Sequence, residues 1–252
     1  MIEFFDVNSI EAAKKTFRTA DSGFRYGFIP DVFKENVYRE LMATFPDVSK
    51  FKLVDKMYKV VGGAHKLFYV APHSYVVSKN MGCWCHLRSL PPTWRRVLQE
   101  SVSPEFMSYL SDTIGVKFNS LANFGHTYGN EGCVQEPHID GAIREDHGEH
   151  PSTLATLLYF NESPDNAGGT CVYATDRKTV LFQAPSMRNG MFFFEQHTDA
   201  WHGFPVMPAG AERRLVSLAY SLEESPIRLK NSLFHRFSCV PSYKRAIKRL
   251  LR

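Results

Sequence analysis

Three side chains in this sequence have the types and spacing to hold a metal ion. His138-Ile139-Asp140 places an imidazole and a carboxylate two residues apart. In an extended strand alternate side chains share a face, so His138 and Asp140 point the same way and Ile139 turns into packing on the other side. The tripeptide is common, and alone it describes equally well a loop histidine followed by an aspartate that forms the turn before Gly141. A third ligand must come from elsewhere in the chain. His202, in Ala200-Trp201-His202-Gly203-Phe204, lies late in a strand-rich region, whereas His197 sits in the polar turn Gln196-His197-Thr198-Asp199, which suits a surface role. Two histidines and one carboxylate on one side of a metal leave three positions open on the other, the arrangement of non-haem Fe(II) sites. Ligand identity alone leaves zinc open as well.

A bidentate 2-oxo acid in those open positions needs a cation at its far carboxylate. Arginine suits that task because its guanidinium forms two parallel bonds to a carboxylate. Glu212-Arg213-Arg214-Leu215 opens the last expected strand. Arg213 shares parity with Leu215 and Ser217, and Arg214 points to the opposite face, so only one of them can reach the interior.

The elements that must position these residues fall into regions of different texture. Residues 119–222 read as eight short strands, at 119–128, 134–140, 153–161, 169–174, 179–184, 190–195, 200–206 and 213–222, separated by turn signals such as Asn166-Ala167-Gly168-Gly169 and Asn189-Gly190. That spacing predicts a sandwich, barrel or jelly roll. Residues 1–118 mix helical patterns with short strands. Asn8-Ser9 can cap a helix over Ile10–Phe17, and apolar positions recur at helical spacing over 33–45 and 93–99. A helix over Pro104–Ile114 is marked by Ser103 as cap, proline at its first position and Gly115 at its end. Residues 50–82, with Gly62-Gly63 and short apolar runs, suggest no clear element.

The order of these features resembles the Fe(II)/2-oxoglutarate-dependent oxygenases. It runs from H-x-D to an apolar strand ending Leu-Tyr-Phe-Asn, a Gly-Gly pair, a phenylalanine-rich strand, Trp-His-Gly and Arg-Arg. Within the superfamily it is most similar to the prolyl-4-hydroxylase-like branch, over roughly 119–222. The resemblance implies a mainly β chain, with a double-stranded β-helix (jelly-roll) core packed against N-terminal helices. It implies His138, Asp140 and His202 as iron ligands and Arg213, with Arg214 as runner-up, as the arginine that grips the distal carboxylate of 2-oxoglutarate. Tyr159 matches a tyrosine that often bonds the same carboxylate, and Tyr128 one that lines the pocket near the metal. Packing is the alternative reading for each tyrosine, and Trp201 is read as packing. The cofactors implied are Fe(II), 2-oxoglutarate as co-substrate and dioxygen, with ascorbate as a reductant. The expected activity is that of a dioxygenase hydroxylating an unactivated C–H bond, with release of succinate and carbon dioxide. Since Asp140 is present, chloride has no vacated ligand position and halogenation is not expected; desaturation and ring closure stay open. The expected substrate is a small metabolite or biosynthetic intermediate. A peptide or protein hydroxylated at proline is the alternative, and a silent jelly-roll binding module the third reading. The loops at 50–85 and 141–152, including His147 and His150, would build the substrate pocket and carry no readable motif.

Composition sets the remaining bounds. With 252 residues, 44% hydrophobic and 22% charged, the chain suits a single domain with a helical and strand-containing part at 1–118, a core at 119–222 and a basic tail at 223–252. Its 20 Phe and 11 Tyr favour a β-rich core. A net charge of +4 gives no argument for nucleic acid. No run of about 18 apolar residues suggests a spanning helix, and the first residues do not read as a secretory signal. Five cysteines without framework spacing read as reduced thiols in a cytoplasmic protein. Cys83-Trp84-Cys85-His86 lacks the gap and the second pair of a structural zinc site. The tail ends in YKRAIKRLLR, with Tyr243, Ala246, Ile247, Leu250 and Leu251 on one helical face. It reads as a docked helix, with peripheral contact to an anionic membrane as the second reading.

Overall fold

The computed structural model describes residues 2–58, 64–71, 90–118, 120–139 and 153–221. Asp140, the whole of 72–89 with its Cys83-Trp84-Cys85-His86 stretch, the whole of 141–152 with His147 and His150, and the basic tail therefore lie outside the described residues.

The chain opens with helix α1 (Val7–Ala13), strands β1 (Arg18–Thr19) and β2 (Arg25–Ile29), and helix α2 (Glu35–Ala43). The hairpin strands β3 (Lys52–Tyr58) and β4 (Ala64–Val70) follow, then helices α3 (Pro92–Ser101) and α4 (Pro104–Ile114). The rest is strand: β5 (Ser120–Gly129), β6 (Val134–His138), β7 (Thr153–Phe160), β8 (Cys171–Tyr173), β9 (Val180–Gln183), β10 (Arg188–Glu195), β11 (His202–Phe204) and β12 (Arg213–Ser221). All eight strands expected beyond residue 118 are present. The strands pair antiparallel in the order β1-β2-β10-β7-β12-β5-β4-β6-β11-β8-β9, with β3 added on β4. This is a jelly roll flanked by helices, as the mainly β reading predicts.

The central strands are apolar on both faces because both are covered. In β10, Met191 and Phe193 join the helix-side core while Phe192 and Phe194 turn into the roll. In β7, Leu154, Leu158 and Phe160 face the helices, and Ala155, Leu157 and Tyr159 face inward. In β12, Val216, Leu218 and Tyr220 face the helices and Leu215 faces inward. Trp94, Val97 and Leu98 of α3 and Phe106, Leu110 and Ile114 of α4 complete the helix-side core. Burial of a side chain such as Phe193 contributes about 1.5–3 kcal/mol.

Local signals set the helix ends. Ser103 Oγ accepts from Phe106 N at 3.2 Å, Pro104 occupies the first turn of α4, and Gly115 ends it at φ 74°. At α1 the expected boundary shifts. Asp6, not Asn8-Ser9, is the cap: its carboxylate accepts from Asn8 N at 3.0 Å and Ser9 N at 3.1 Å. The helix ends at Ala13, and Phe17 leaves it to pack edge-on against Phe193, with ring centroids 4.7 Å apart. The 50–82 stretch supplies the β3–β4 hairpin. β4 alternates buried and half-buried positions, while Leu53 and Met57 of β3 lie in solvent, which hides the strand period from the sequence.

Candidate active site

The inner face of the roll gathers several expected site residues. β6 and β11 are neighbours, and His138 and His202 stand directly opposite each other in the register. Both are buried, and their rings lie 4.3 Å apart between centroids. Ile139 turns away, into a cluster with Cys171, Tyr173 and Trp201, as strand parity requires. Trp201 is packing, with Arg177 stacked on its outer face at 4.2 Å. His138 Nδ1 donates to the Glu136 carbonyl at 2.9 Å, and His202 Nδ1 donates to the Ala200 carbonyl at 2.9 Å. A backbone acceptor at Nδ1 fixes the tautomer and leaves the lone pair at Nε2, which is how metal-binding histidines are oriented. The Gln135 amide nitrogen lies 3.3 Å from His138 Nε2, in keeping with a lone pair there. Phe194 packs on His202 with centroids 4.3 Å apart. His197, by contrast, is part-exposed, faces Asp199 and stacks on Phe24. Among the described residues there is no group of three or more metal-binding side chains; Asp140, the expected third ligand, is outside them.

Arg213 and Arg214 separate as parity demands. Arg213 is 4% exposed. Its Nε donates to the Gly168 carbonyl at 2.8 Å and its Nη2 to Thr170 Oγ1 at 3.0 Å, and its guanidinium lies 4.4 Å over the Phe204 ring. Phe204 is two residues from His202 on the same strand, so the cation and the imidazoles share the inner face. Among the described residues no carboxylate pairs with Arg213, and burial pushes the guanidinium below its ordinary pKa. A buried cation with only neutral acceptors is costly and calls for an anion. Arg214 turns to the other face, where Nη2 meets Glu212 at 3.1 Å and its backbone N–H donates to Asn161 Oδ1 at 2.9 Å.

Tyr159 is fully buried beside Arg213, with the guanidinium 5.8 Å from its ring. Its hydroxyl donates to Thr170 Oγ1 at 2.8 Å and accepts from Thr170 N at 2.9 Å. Burial raises its pKa, opposed by the Arg213 charge, so it stays a neutral phenol. Tyr128 is not brought to this group. It pairs with Arg214 across β5 and β12, its hydroxyl donates to Glu212 at 3.1 Å, and it shares the face that Arg214 takes. Burial, with the Glu212 carboxylate adding to it, raises its pKa. Thr170 is the residue that sequence reasoning missed. Its signal was its place directly after Gly168-Gly169, where the chain enters β8 next to the β11 strand carrying His202.

No protein-family model matches the sequence, and no curated protein does either. Solved structures do match. A prolyl hydroxylase from Trichoplax adhaerens, in complex with a hypoxia-inducible-factor oxygen-degradation-domain peptide, superposes with a TM-score of 0.53 at 14% identity, over 86% of this chain and 89% of that one. A Pseudomonas putida prolyl-4-hydroxylase gives 0.53 at 11% identity, over 86% and 97%. A non-heme α-ketoglutarate-dependent epimerase from nogalamycin biosynthesis gives 0.52 at 13% identity, over 85% and 80%. The chain therefore has the fold of the prolyl hydroxylases and of this α-ketoglutarate-dependent enzyme.

Proposed function

We propose that the protein is an Fe(II)- and 2-oxoglutarate-dependent dioxygenase that hydroxylates an unactivated C–H bond of a small molecule. The observation that carries this is the pairing, on one inner face, of two imidazoles locked at Nδ1 with a buried arginine that has only neutral acceptors among the described residues. The donor set fits the metal: His138 and His202 would hold it through Nε2, and Asp140, two residues from His138, would supply the carboxylate. Bound iron supplies the oxidation of the C–H bond by dioxygen, with 2-oxoglutarate leaving as succinate and carbon dioxide.

The chain's own residues do the rest. Arg213 holds the distal carboxylate of the co-substrate through its remaining N–H groups, and Tyr159 lies against the same end. Phe194, Phe204 and Leu215 line the inner face with apolar surface and exclude water from the buried charge pair, which strengthens it. Tyr128 and Arg214 have no part in this arrangement.

The small-molecule substrate is supported by the fold shared with the epimerase of nogalamycin biosynthesis. A peptide substrate is the second reading, favoured by the two prolyl hydroxylases and by β3, which among the described residues pairs only with β4 and holds Leu53 and Met57 in solvent. Such an edge can accept an extended peptide.

The first test is an anaerobic titration of apoprotein with Fe(II) and 2-oxoglutarate, following the visible charge-transfer band of the chelate. The band appears in wild type and is lost or altered in Asp140→Ala. A well-folded wild type without it overturns the proposal. Succinate formation in air, with ascorbate as reductant, then ranks small molecules against proline-containing peptides.

A further inference from the structure

We infer that Thr170 is a positioning residue of the anion-binding end: its hydroxyl locks Arg213 and Tyr159 into one arrangement and leaves one hydroxyl hydrogen of the Tyr159–Thr170 pair for the distal carboxylate of a 2-oxo acid. This rests on the reading of the site as a 2-oxoglutarate site.

The inference follows from counting donors. Thr170 Oγ1 receives an N–H from Arg213 Nη2 at 3.0 Å and stands 2.8 Å from the Tyr159 hydroxyl. The Tyr159 hydroxyl receives the Thr170 backbone N–H at 2.9 Å. The two hydroxyls own two hydrogens, and only one lies in the bond between them. Whichever hydroxyl gives that one, the other keeps a hydrogen with no acceptor among the described residues. Two of the guanidinium's five N–H groups are used among the described residues, one on Gly168 and one on Thr170. Thr170, Tyr159 and Arg213 are all buried. Among the described residues the remaining hydroxyl hydrogen has no acceptor and the cation beside it no carboxylate, a pairing that suits an acceptor-only anion such as a carboxylate.

The backbone holds Thr170 in place. Gly169 N donates to the Asn166 carbonyl at 2.8 Å, and Ala184 N donates to the Thr170 carbonyl at 2.9 Å. A Cβ at Gly169 would meet the Ala184 carbonyl oxygen at 2.8 Å, so the turn that delivers Thr170 requires glycine. The hydroxyl is thus aimed by rigid structure, and losing it frees Arg213 to turn about its bond to Gly168.

The test is the affinity for 2-oxoglutarate, by titration calorimetry of Fe(II)-loaded protein under anaerobic conditions, in wild type, Thr170→Val, Thr170→Ser and Thr156→Val. Thr156 is the control: equally buried, on the helix side of β7, donating to the Leu218 carbonyl at 3.1 Å. Thr170→Val weakens binding roughly tenfold or more, the effect of buried donors left unpaired. Thr170→Ser restores affinity to within about threefold, Thr156→Val leaves it unchanged, and Fe(II) affinity is the same in all four. In turnover the loss falls on KM for 2-oxoglutarate and not on kcat at saturation. If Thr170→Val does not fold, Thr170→Ala replaces it, with the same expectation. Wild-type affinity in the folded Val or Ala variant overturns the inference and leaves the 2-oxoglutarate reading standing. Failure of wild type to bind 2-oxoglutarate overturns that reading, and the inference with it.

Discussion

Replacing Arg213 by methionine should weaken co-substrate binding severely while leaving the fold almost as stable as before. Methionine fills a similar volume and removes the charge. In the free protein the change leaves the Gly168 carbonyl and the Thr170 hydroxyl without their Arg213 donors, at a cost of about 1–3 kcal/mol each. Against this, the fold no longer buries a guanidinium that has no carboxylate partner among the described residues, a penalty of several kcal/mol per ion. The two nearly cancel, so unfolding free energy should change by no more than about 2 kcal/mol in either direction. In the proposed complex nothing cancels: the distal carboxylate of the co-substrate loses the cation that pairs with it, which costs about 3–5 kcal/mol, or between two and nearly four orders of magnitude in Kd. Arg214→Met is the internal comparison. Arg214 meets a half-exposed Glu212 on the opposite face, so its loss should cost about 0–1 kcal/mol of stability and less than threefold in 2-oxoglutarate affinity. Urea unfolding gives the first quantity and the anaerobic chelate titration the second. Equal effects of the two substitutions on affinity would refute the assignment of the anchor. A loss of stability well beyond 4 kcal/mol in Arg213→Met would show the cation to be structural, its burial already compensated.

Three further outcomes follow from the same geometry. His138→Ala and His202→Ala each lower Fe(II) affinity by at least tenfold by calorimetry, whereas His197→Ala, a part-exposed residue facing Asp199, does not; a loss in His197→Ala equal to the others would make His197 a ligand and refute this assignment. Gly203→Ala drives a Cβ to 2.2 Å from the Gln135 carbonyl oxygen, so it should separate β11 from β6 and lower Fe(II) affinity together with stability, by about 2 kcal/mol or more; a variant with wild-type melting and metal binding contradicts the register. Burial raises the pKa of Tyr220, and raises Tyr38 and Tyr109 to about 12, so the protonated phenols contribute stability that is complete below pH 10 and lost as pH climbs through the folded values. Tyr220→Phe gives up its bond to the Ser101 carbonyl at 3.0 Å and should be about 1–2 kcal/mol less stable than wild type at pH 8, a gap that narrows by pH 11; a constant or widening gap in urea midpoints refutes the linkage.

What the sequence made legible and what it concealed share one physical cause, the number of chain segments an inference has to combine. Each strand beyond residue 118 was readable because its own apolar run and flanking turns specify it. Ser103, Pro104 and Gly115 bound α4 for the same reason, each acting on the backbone within a few residues. At α1 the sequence points to Asn8-Ser9 as the cap, but Asp6, two residues earlier, takes that place because its carboxylate reaches two N–H groups at once. The choice between Arg213 and Arg214 was reduced to a face by parity, but the face that is inside is set by Phe204 and Gly168, on segments the tandem pair does not touch locally. Thr170 was invisible for the same reason: its role exists only where β8, β7 and β12 meet.

Tyr128 shows how far pairing can overrule position. Ten residues before His138, it stands where a resemblance places a pocket tyrosine. Yet Arg213 pairs with Gly129 and Arg214 with Tyr128 across β5 and β12. Paired residues on adjacent strands share a face. Once Arg213 points inward, Arg214 and Tyr128 must point outward together, and Glu212 is there to receive both. The inward place opposite Arg213 is left to Gly129, whose missing side chain gives room to Met207 and the Arg213 stem. The register that seats the buried cation is therefore the same one that removes Tyr128 from the inner face, so a single shift of β5 against β12 would exchange the two. That makes Gly129→Val a sharper probe of the site than Tyr128→Phe: the first drives a Cβ to 2.9 Å from Met207 Sδ and sets its methyls beside the Arg213 stem, 3.6 Å from that Cβ, and should weaken 2-oxoglutarate binding, while the second breaks only an exposed bond to Glu212 and should leave it intact.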